Sequence, residues 1–363
     1  MASARKRFTI EAMVLVLGVS AGAAGARAML THSDQPHLPP IDRCKVPRHA
    51  GGGSMEEAVF EAIRQMRKSA DKRDEFITGI AVTCRCNTHA ESVRTAAGRN
   101  RLTVIDEPVA QLRYLRFTGR LPTEGSILLY DLGASGLTLT QIDCRTDAVL
   151  ATKRSTVLGG DGHDALLRWL LTRGGVTLDM ATTRQQKEAL ASERVLAVCD
   201  PITGQRTVVT RSDFAELVEA GIHHSASFVR HMVDETGVRP TGIALLGGCT
   251  RNKSIRDELK QQLDMPLIYD PEPEFVSTRG AVLLAAERPS ARSIRSVHLT
   301  PGSGAHEAPS TAPVSRRKLV AAVAVTATLG GTIVGALAMN RDNGDHTDGK
   351  PPTVEVVGPP KHG

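Results

Sequence analysis

The chain has 363 residues, a net charge of +6 and only 3% aromatic residues. This length suits one large domain or two lobes with appendages. The basic residues are spread along the chain and aromatic side chains for stacking on bases are scarce, so nucleic-acid binding is not expected. The six cysteines lack the spacing of a zinc site, and reduced, buried thiols in a cytosolic protein are the expected state.

The N-terminal segment admits two interpretations. Residues 8–30 read as a strand, a glycine-rich turn and a second strand. The alternative is a signal peptide, because the basic residues Arg5, Lys6 and Arg7 precede an apolar stretch that ends in small residues near 24–28. On these residues alone, the choice between the two stays open.

Helices and strands alternate over the rest of the first 290 residues, which indicates the α/β class. Residues 31–54 contain four prolines and a run of three glycines and predict a loop. Helices are predicted at 55–70, 89–98, 108–117, 161–172, 212–236, 252–263 and 280–287. Strands are predicted at 77–83, 102–105, 126–131, 137–143 and 243–246.

Three further segments complete the chain. Residues 289–315 are rich in Ser, Pro and Ala and predict a linker. Residues 319–339 carry no charge, and as a helix they would span the roughly 30 Å of a bilayer core, so a membrane-spanning helix is expected within 316–340. Basic residues at 316–318 precede this run, which places the large N-terminal part in the cytoplasm. A polar, Pro-rich tail follows at 341–363.

Six short segments occur in an order that resembles the DnaK-type heat-shock protein 70 family. Residues 130–136 (Tyr-Asp-Leu-Gly-Ala-Ser-Gly) are similar to its second phosphate hairpin, and residues 246–251 (Leu-Gly-Gly-Cys-Thr-Arg) to its adenosine motif. The other four segments lie at 105–108, 157–164, 208–217 and 270–281. The resemblance covers residues 8–288. It implies an actin-like ATPase fold over residues 1–290, with two lobes that are duplicated ribonuclease H-like domains.

The resemblance also favours a first phosphate hairpin over a signal peptide at the N-terminus. The sequence Val16-Leu17-Gly18-Val19-Ser20 takes the place of the family's Asp-Leu-Gly-Thr-Thr. In this alignment Val16 replaces a metal-coordinating aspartate, and Gly136 replaces a hydroxyl residue of the second hairpin. Residues 31–75 are too short for the family's outer subdomain, which carries a catalytic lysine. Each loss removes charge stabilisation of a transferring phosphoryl group.

A site for ATP or ADP with Mg²⁺ is implied by the same resemblance. Glu107 would orient the attacking water, and Asp131 would be the catalytic and metal-side carboxylate. The implied nucleotide contacts are mostly backbone N–H groups of glycine turns: Gly18, Ser20, Gly133, Ala134, Ser135, Gly159, Gly160, Asp161, Lys187, Gly247, Gly248, Cys249 and Arg251. Arg184, Glu188 and Ala191 depart from the family's adenosine-contacting helix, which leaves the identity of the base open.

These residues favour a membrane-anchored, heat-shock-like module that binds adenine nucleotide and has weak or absent ATPase activity. It would act as a switch for an unknown protein partner, and no peptide-binding domain is expected after residue 288. One alternative is an active ATPase that works with a separate client-binding partner, and another is a membrane scaffold without nucleotide. The losses at Val16 and Gly136 count against the active ATPase, whereas the intact turn at 247–251 counts against the scaffold.

Overall fold

The computed structural model describes residues 14–48 and 53–287, and each half of this region builds one five-stranded sheet. The predicted linker at 289–315, the charge-free run at 319–339 and the tail at 341–363 lie outside the described residues. Among the helices of residues 14–48 and 53–287, none combines the length and the apolar character needed to cross a membrane.

The first half forms a mixed sheet with the strand order β3-β2-β1-β4-β5. Its elements are β1 (Val14–Gly22), β2 (Gly25–His32), β3 (Asp42–Pro47), α1 (Met55–Asp71), β4 (Phe76–Cys84), α2 (Asn87–Ala97), β5 (Thr103–Asp106) and α3 (Glu107–Phe117). Strands β1, β4 and β5 are parallel, whereas β2 pairs antiparallel with both β1 and β3. The predicted N-terminal strand–turn–strand is confirmed, and β1 is the central strand of the sheet.

The second half repeats this arrangement in the strand order β12-β11-β6-β7-β8. Its elements are β6 (Ser126–Gly133), β7 (Gly136–Asp143), β8 (Val149–Ser155), α4 (Gly160–Arg173), α5 (Met180–Ala189), β9 (Val195–Cys199), β10 (Arg206–Thr210), α6 (Arg211–Thr236), β11 (Gly242–Leu246), α7 (Lys253–Gln262), β12 (Leu267–Tyr269) and α8 (Val276–Glu287). Strands β9 and β10 form a separate hairpin.

The structure corrects the predicted boundaries at several places. The predicted loop at 31–54 contains the edge strand β3, and the other element of the described residues between β2 and β4 is α1. Helix α8 begins four residues before the predicted start at 280, and a short 3-10 turn at 248–251 precedes α7. Strands β8 and β12 and the β9–β10 hairpin were not predicted.

The two halves exchange their last helices. Helix α1 covers the outer face of the first sheet, and α4, α6 and α7 cover the outer face of the second. Helix α8, from the second half, packs on the inner face of the first sheet, where Val282 contacts the cluster around Val16. Helix α3, from the first half, packs on the second sheet through Leu112 and Leu115. Each half therefore needs the other to bury one face of its sheet.

The exchanged helices approach each other at backbone distance. A Cβ atom added to Gly280 of α8 would lie 1.8 Å from the carbonyl oxygen of Ala110 in α3. Similarly, a Cβ atom on Gly18 of β1 would lie 2.4 Å from the carbonyl oxygen of Thr278. No side chain fits at either position without a backbone shift, so these two glycines set how closely α8 packs against α3 and the first sheet.

Asp200 anchors the turn between β9 and β10. Its carboxylate accepts backbone N–H groups from Thr203 at 2.8 Å, Thr177 at 2.8 Å and Ile202 at 2.9 Å. These bonds lower the pKa of Asp200 from 3.8 to about 2. Because the folded-state pKa is depressed, the stabilisation is present above pH 3.8 and is lost as the pH falls towards 2.

We therefore expect Asp200→Asn to be less stable than the parent at neutral pH and to lose less stability on acidification. Urea midpoints of the full-length protein between neutral pH and pH 3 would measure both effects. Asp264→Asn is the control, because Asp264 is exposed and its ion pair among the described residues is with the exposed Arg239. An unchanged pH profile in Asp200→Asn would contradict the assignment.

Candidate functional site

A cleft with an empty volume of about 1120 Å³, including space open to solvent, lies where the two hairpins of the sheets face each other. Three glycine-rich turns line it: residues 20–24 at the end of the β1–β2 hairpin, residues 133–134 at the end of the β6–β7 hairpin, and residues 247–249 after β11. Turns from both halves of the chain thus meet at this cleft, and backbone N–H groups in such turns can bind phosphate groups.

Most of the residues predicted for the site line this cleft. They are Ser20, Glu107, Asp131, Gly133, Ala134, Gly160, Lys187, Gly247, Gly248, Cys249 and Arg251. Gly18, Ser135, Gly159 and Asp161 do not. Gly18 lies beneath α8, and the expectation that it lines the cleft is wrong.

The other three residues, which do not line the cleft, each contact a different group. The hydroxyl of Ser135 accepts a hydrogen bond from Arg154 at 2.8 Å. Gly159 packs against the start of β7, because a Cβ atom there would lie 2.5 Å from the backbone nitrogen of Gly136. The carboxylate of Asp161 pairs with Arg184 at 2.7 Å.

The pairing register of the hairpins corrects the alignment of the first one. Hairpin β6–β7 closes at the pair Gly133–Gly136, and Asp131 lies two residues before its first glycine. Hairpin β1–β2 closes at the pair Gly22–Gly25, and Ser20 lies two residues before its first glycine. Ser20 is therefore the counterpart of Asp131, and the interpretation of Val16 as that position is wrong.

Burial explains why Val16 has no role in the cleft. Its side chain is fully buried in the cluster that contains Val282 and Ala281. An aspartate at this position would be a buried charge without a partner rather than a ligand. Gly136 is also sterically constrained, because a Cβ atom there would lie 2.4 Å from the carbonyl oxygen of Ser155.

A chain of hydrogen bonds connects the two candidate catalytic carboxylates. Arg85 donates from Nε to Oε2 of Glu107 at 3.2 Å, and Ser277 of α8 donates to Oε1 of Glu107 at 3.1 Å. Gln111 of α3 donates to both Ser277, at 3.1 Å, and Oδ2 of Asp131, at 2.9 Å. The Nη2 atom of Arg85 lies 4.0 Å from the same oxygen of Asp131. Residues from both exchanged helices therefore hold the carboxylates in place.

Burial and charge set the ionisation of this network. Burial raises the pKa of Glu107, and the nearby charge of Asp131 raises it further, whereas Arg85 lowers it. Burial opposes the charge of Arg85, yet Glu107 and Asp131 outweigh it and raise the pKa of the guanidinium. His163, which also lines the cleft, has its pKa lowered to about 4 by burial and by Lys187, so its ring is neutral at pH 7.

The opposite wall of the cleft holds fixed cations. Lys187 lies 2.5 Å from Oδ1 of Asp164 and donates to the carbonyl oxygen of Gly160 at 2.9 Å. Arg251 donates to Oε1 of Glu274 at 3.2 Å. The predicted nucleotide contacts Lys187 and Arg251 are thus brought to one cleft, but each has a carboxylate partner there.

Sequence reasoning missed the groups that hold the carboxylates, namely Arg85, Gln111 and Ser277. Only one signal pointed to them: Arg85 interrupts an otherwise uncharged segment at the end of β4, between Cys84 and Cys86. All six cysteines are free, but only Cys84 and Cys144 are buried. Cys44 and Cys249 are partly buried, and Cys86 and Cys199 are exposed, so the expectation of buried thiols is wrong for these four.

The residues present do not fit the magnesium ion that the family resemblance implies. Mg²⁺ requires oxygen ligands in near-octahedral geometry and usually keeps several waters. Oδ2 of Asp131 already accepts from Gln111 and faces Arg85. Its counterpart Ser20 offers a hydroxyl, which is hydrogen-bonded to Thr278 at 2.8 Å, in place of a carboxylate.

Two sheets with the same strand order, joined by exchanged helices around a glycine-lined cleft, fit the actin-like ATPase fold. No family model matches the chain. The chaperone protein HscA homolog of Pseudomonas putida is 23% identical over 269 residues, which cover 69% of this chain and 42% of that protein. The HscA homolog of Burkholderia thailandensis is 29% identical over 264 residues, or 65% of this chain and 42% of that protein.

The chaperone protein HscA of Salmonella arizonae is 27% identical over 203 residues, which cover 52% of this chain and 32% of that protein. These similarities, at low identity, support a relation to the heat-shock protein 70 family. The matches to the first two relatives span 42% of the length of each.

Proposed function

We propose that the chain is a heat-shock-protein-70-like module that binds adenine nucleotide and hydrolyses it weakly or not at all. The observation that carries the proposal is the convergence of three glycine turns, from both halves of the chain, on one cleft with cationic walls. Backbone N–H groups in such turns bind phosphates whatever the neighbouring side chains are. Side-chain losses therefore reduce binding less than catalysis.

Weak turnover follows from the way Glu107 is held. Hydrolysis requires a water oxygen to bond to the γ-phosphorus while the bond to the bridging oxygen of ADP breaks, and a base must accept the water proton. Both oxygens of Glu107 already have partners, Arg85 and Ser277. Ser20, which is the counterpart of Asp131 in the first hairpin, supplies no charge. The site is thus better suited to holding a nucleotide than to cleaving it.

The membrane anchor is part of the proposal and rests on the sequence. The charge-free run at 319–339 would be a single membrane-spanning helix, and the basic residues at 316–318 would keep the nucleotide-binding part in the cytoplasm. The module would act there as a switch for a protein partner, as a change of angle between the lobes follows nucleotide binding. Cysteine labelling from each side of a membrane that contains the full-length chain would test this orientation.

Calorimetric titration of the full-length protein with ATP and with ADP tests the proposed function. We expect saturable binding, and we expect Gly248→Phe to weaken it at least about tenfold, which corresponds to about 1.4 kcal/mol. A Cβ atom on Gly248 would lie 3.8 Å from both Arg27 and Glu274, so a large side chain there projects into the cleft.

The control is Gly162→Ala on α4, where no atom lies within 4 Å of an added Cβ. This variant should bind nucleotide like the parent. Absence of binding by the parent would reject the proposal and favour the scaffold alternative.

A further inference from the structure

We infer that the guanidinium of Arg85 takes the place of the divalent cation in this cleft, so that nucleotide binding by this chain does not depend on magnesium. The inference rests on the proposed function where it concerns nucleotide, whereas the replacement of the cation concerns only the residues of the cleft. Three features of the described residues carry it: the position of Arg85, the charge around it, and the lack of a complete ligand set for a metal.

Arg85 is placed where it reaches both carboxylates and the second phosphate turn. It follows β4, its side chain is only 19% exposed, and it lines the cleft. Its Nε atom lies 3.2 Å from Glu107, and its Nη2 atom lies 4.0 Å from Asp131. The same Nη2 atom lies 3.5 Å from the point that a Cβ atom on Gly133 would occupy. The guanidinium therefore stands between the acidic pair and the turn that would hold the phosphates.

The two carboxylates require a cation between them. Asp131 is close enough to raise the pKa of Glu107, which shows that their charges repel. Arg85 supplies the compensating charge, and it remains charged because both carboxylates raise its pKa. Arginine has several N–H donors in a fixed plane and can bind carboxylate and phosphate oxygens at once. A divalent ion at the same place would be repelled by the guanidinium.

The β1–β2 hairpin also carries less negative and more positive charge than a metal site would need. Its counterpart of Asp131 is the neutral Ser20, and the residue that pairs with Ser20 across the ladder is Arg27, which also lines the cleft. One carboxylate is thus missing, and one further cation is present on that hairpin. Both changes lower the affinity of the cleft for a metal ion and raise its affinity for phosphate.

Titration of the full-length protein with ATP in EDTA and in MgCl₂ tests the nucleotide part of the inference. We expect the two dissociation constants of the parent to agree within about threefold. Arg85→Ala should bind ATP at least about tenfold more weakly in EDTA and should recover affinity when Mg²⁺ is added. Arg64→Ala, which removes a cation from the exposed face of α1, should behave like the parent.

Arg85→Lys guards against loss of folding in Arg85→Ala. It keeps the charge but not the planar group, so its ATP affinity should be lower than that of the parent while staying independent of Mg²⁺. A parent whose ATP affinity falls more than about tenfold in EDTA would overturn the inference.

Electron paramagnetic resonance of Mn²⁺ added to the nucleotide-free protein tests the cation replacement by itself. We expect Arg85→Ala to gain one Mn²⁺ site that the parent lacks. The double variant that combines Arg85→Ala with Asp131→Asn should lose this site. Mn²⁺ can also bind elsewhere, for example to the cluster of Glu219, His223 and Glu258. Such binding is the same with and without Asp131→Asn, so the difference between the two variants counts only the site in the cleft.

The outcomes separate the two proposals. A Mn²⁺ site in the parent that disappears with Asp131→Asn would show that Arg85 does not replace the cation. Lack of ATP binding with the expected gain of Mn²⁺ in Arg85→Ala would reject the proposed nucleotide binding and leave the cation replacement supported.

Discussion

Replacing Gly280 with alanine should destabilise the domain by about 3 kcal/mol or more, which is at the upper end of the cost of overpacking. The added Cβ would lie 1.8 Å from the carbonyl oxygen of Ala110, and the clash is with backbone rather than with a movable side chain. Helices α3 and α8 would have to separate, and each covers the inner face of the other half's sheet. Urea unfolding of the full-length protein would measure the loss.

Gly162→Ala provides the matched comparison, because it is the same substitution within a helix but in open space. Alanine has the higher helix propensity, so this variant should gain up to about 1 kcal/mol. Similar stabilities for the two variants would mean that α3 and α8 do not approach at backbone distance.

Glu107→Gln should reduce the slow single-turnover hydrolysis of ATP by up to about 100-fold, the lower end of what a positioned base contributes, because Arg85 and Ser277 already engage both oxygens of Glu107. The dissociation constant for ATP should stay within about threefold of the parent value, because the phosphates are bound mainly by backbone groups. In the parent, burial and Asp131 raise the pKa of Glu107, so turnover should increase with pH through a value above the ordinary 4.5 of a glutamate. Glu107→Gln should show no such increase.

Glu91→Gln on the exposed face of α2 is the control for loss of a carboxylate and should leave turnover and binding unchanged. Fast turnover in the parent that Glu107→Gln removes would favour the active-ATPase alternative. A large loss of ATP binding in Glu107→Gln would instead assign Glu107 to the binding of the ligand.

The parts of the fold that the sequence predicted are those with strong local patterns. The hairpin strands are nearly continuous runs of buried residues that meet at glycine turns. Helices α1 and α6 have long apolar faces and capping residues. The missed strands lie at the edges of the sheets: β3 and β8 are largely exposed and carry several polar residues, and β12 has only three residues. Their pairing partners are distant in sequence, so only the assembled sheet specifies them.

The site was predictable where its chemistry is in the backbone turns. The sequence alignment places the glycine of the first phosphate hairpin at Gly18, four residues before Gly22, where the hairpin closes. Both glycines of the run Gly18-Val19-Ser20-Ala21-Gly22 suit the motif. Only the pairing register distinguishes them. Gln111 and Ser277 could not be found in this way, because they are 166 residues apart and meet only after α3 and α8 have exchanged sheets.

The exchange of α3 and α8 has a mechanical consequence. Each sheet carries a helix that belongs to the opposite half. A rotation of one sheet relative to the other would therefore move α3 and α8 against each other at the point where they touch. Gly280 lacks the side chain that would keep the two helices apart there, so they meet at backbone distance. Ser277 lies about one helical turn before Gly280 and donates a hydrogen bond to Glu107, the first residue of α3. One hydrogen bond therefore connects the contact between the two exchanged helices to a carboxylate that lines the cleft, so a shift of α8 relative to α3 would displace Glu107.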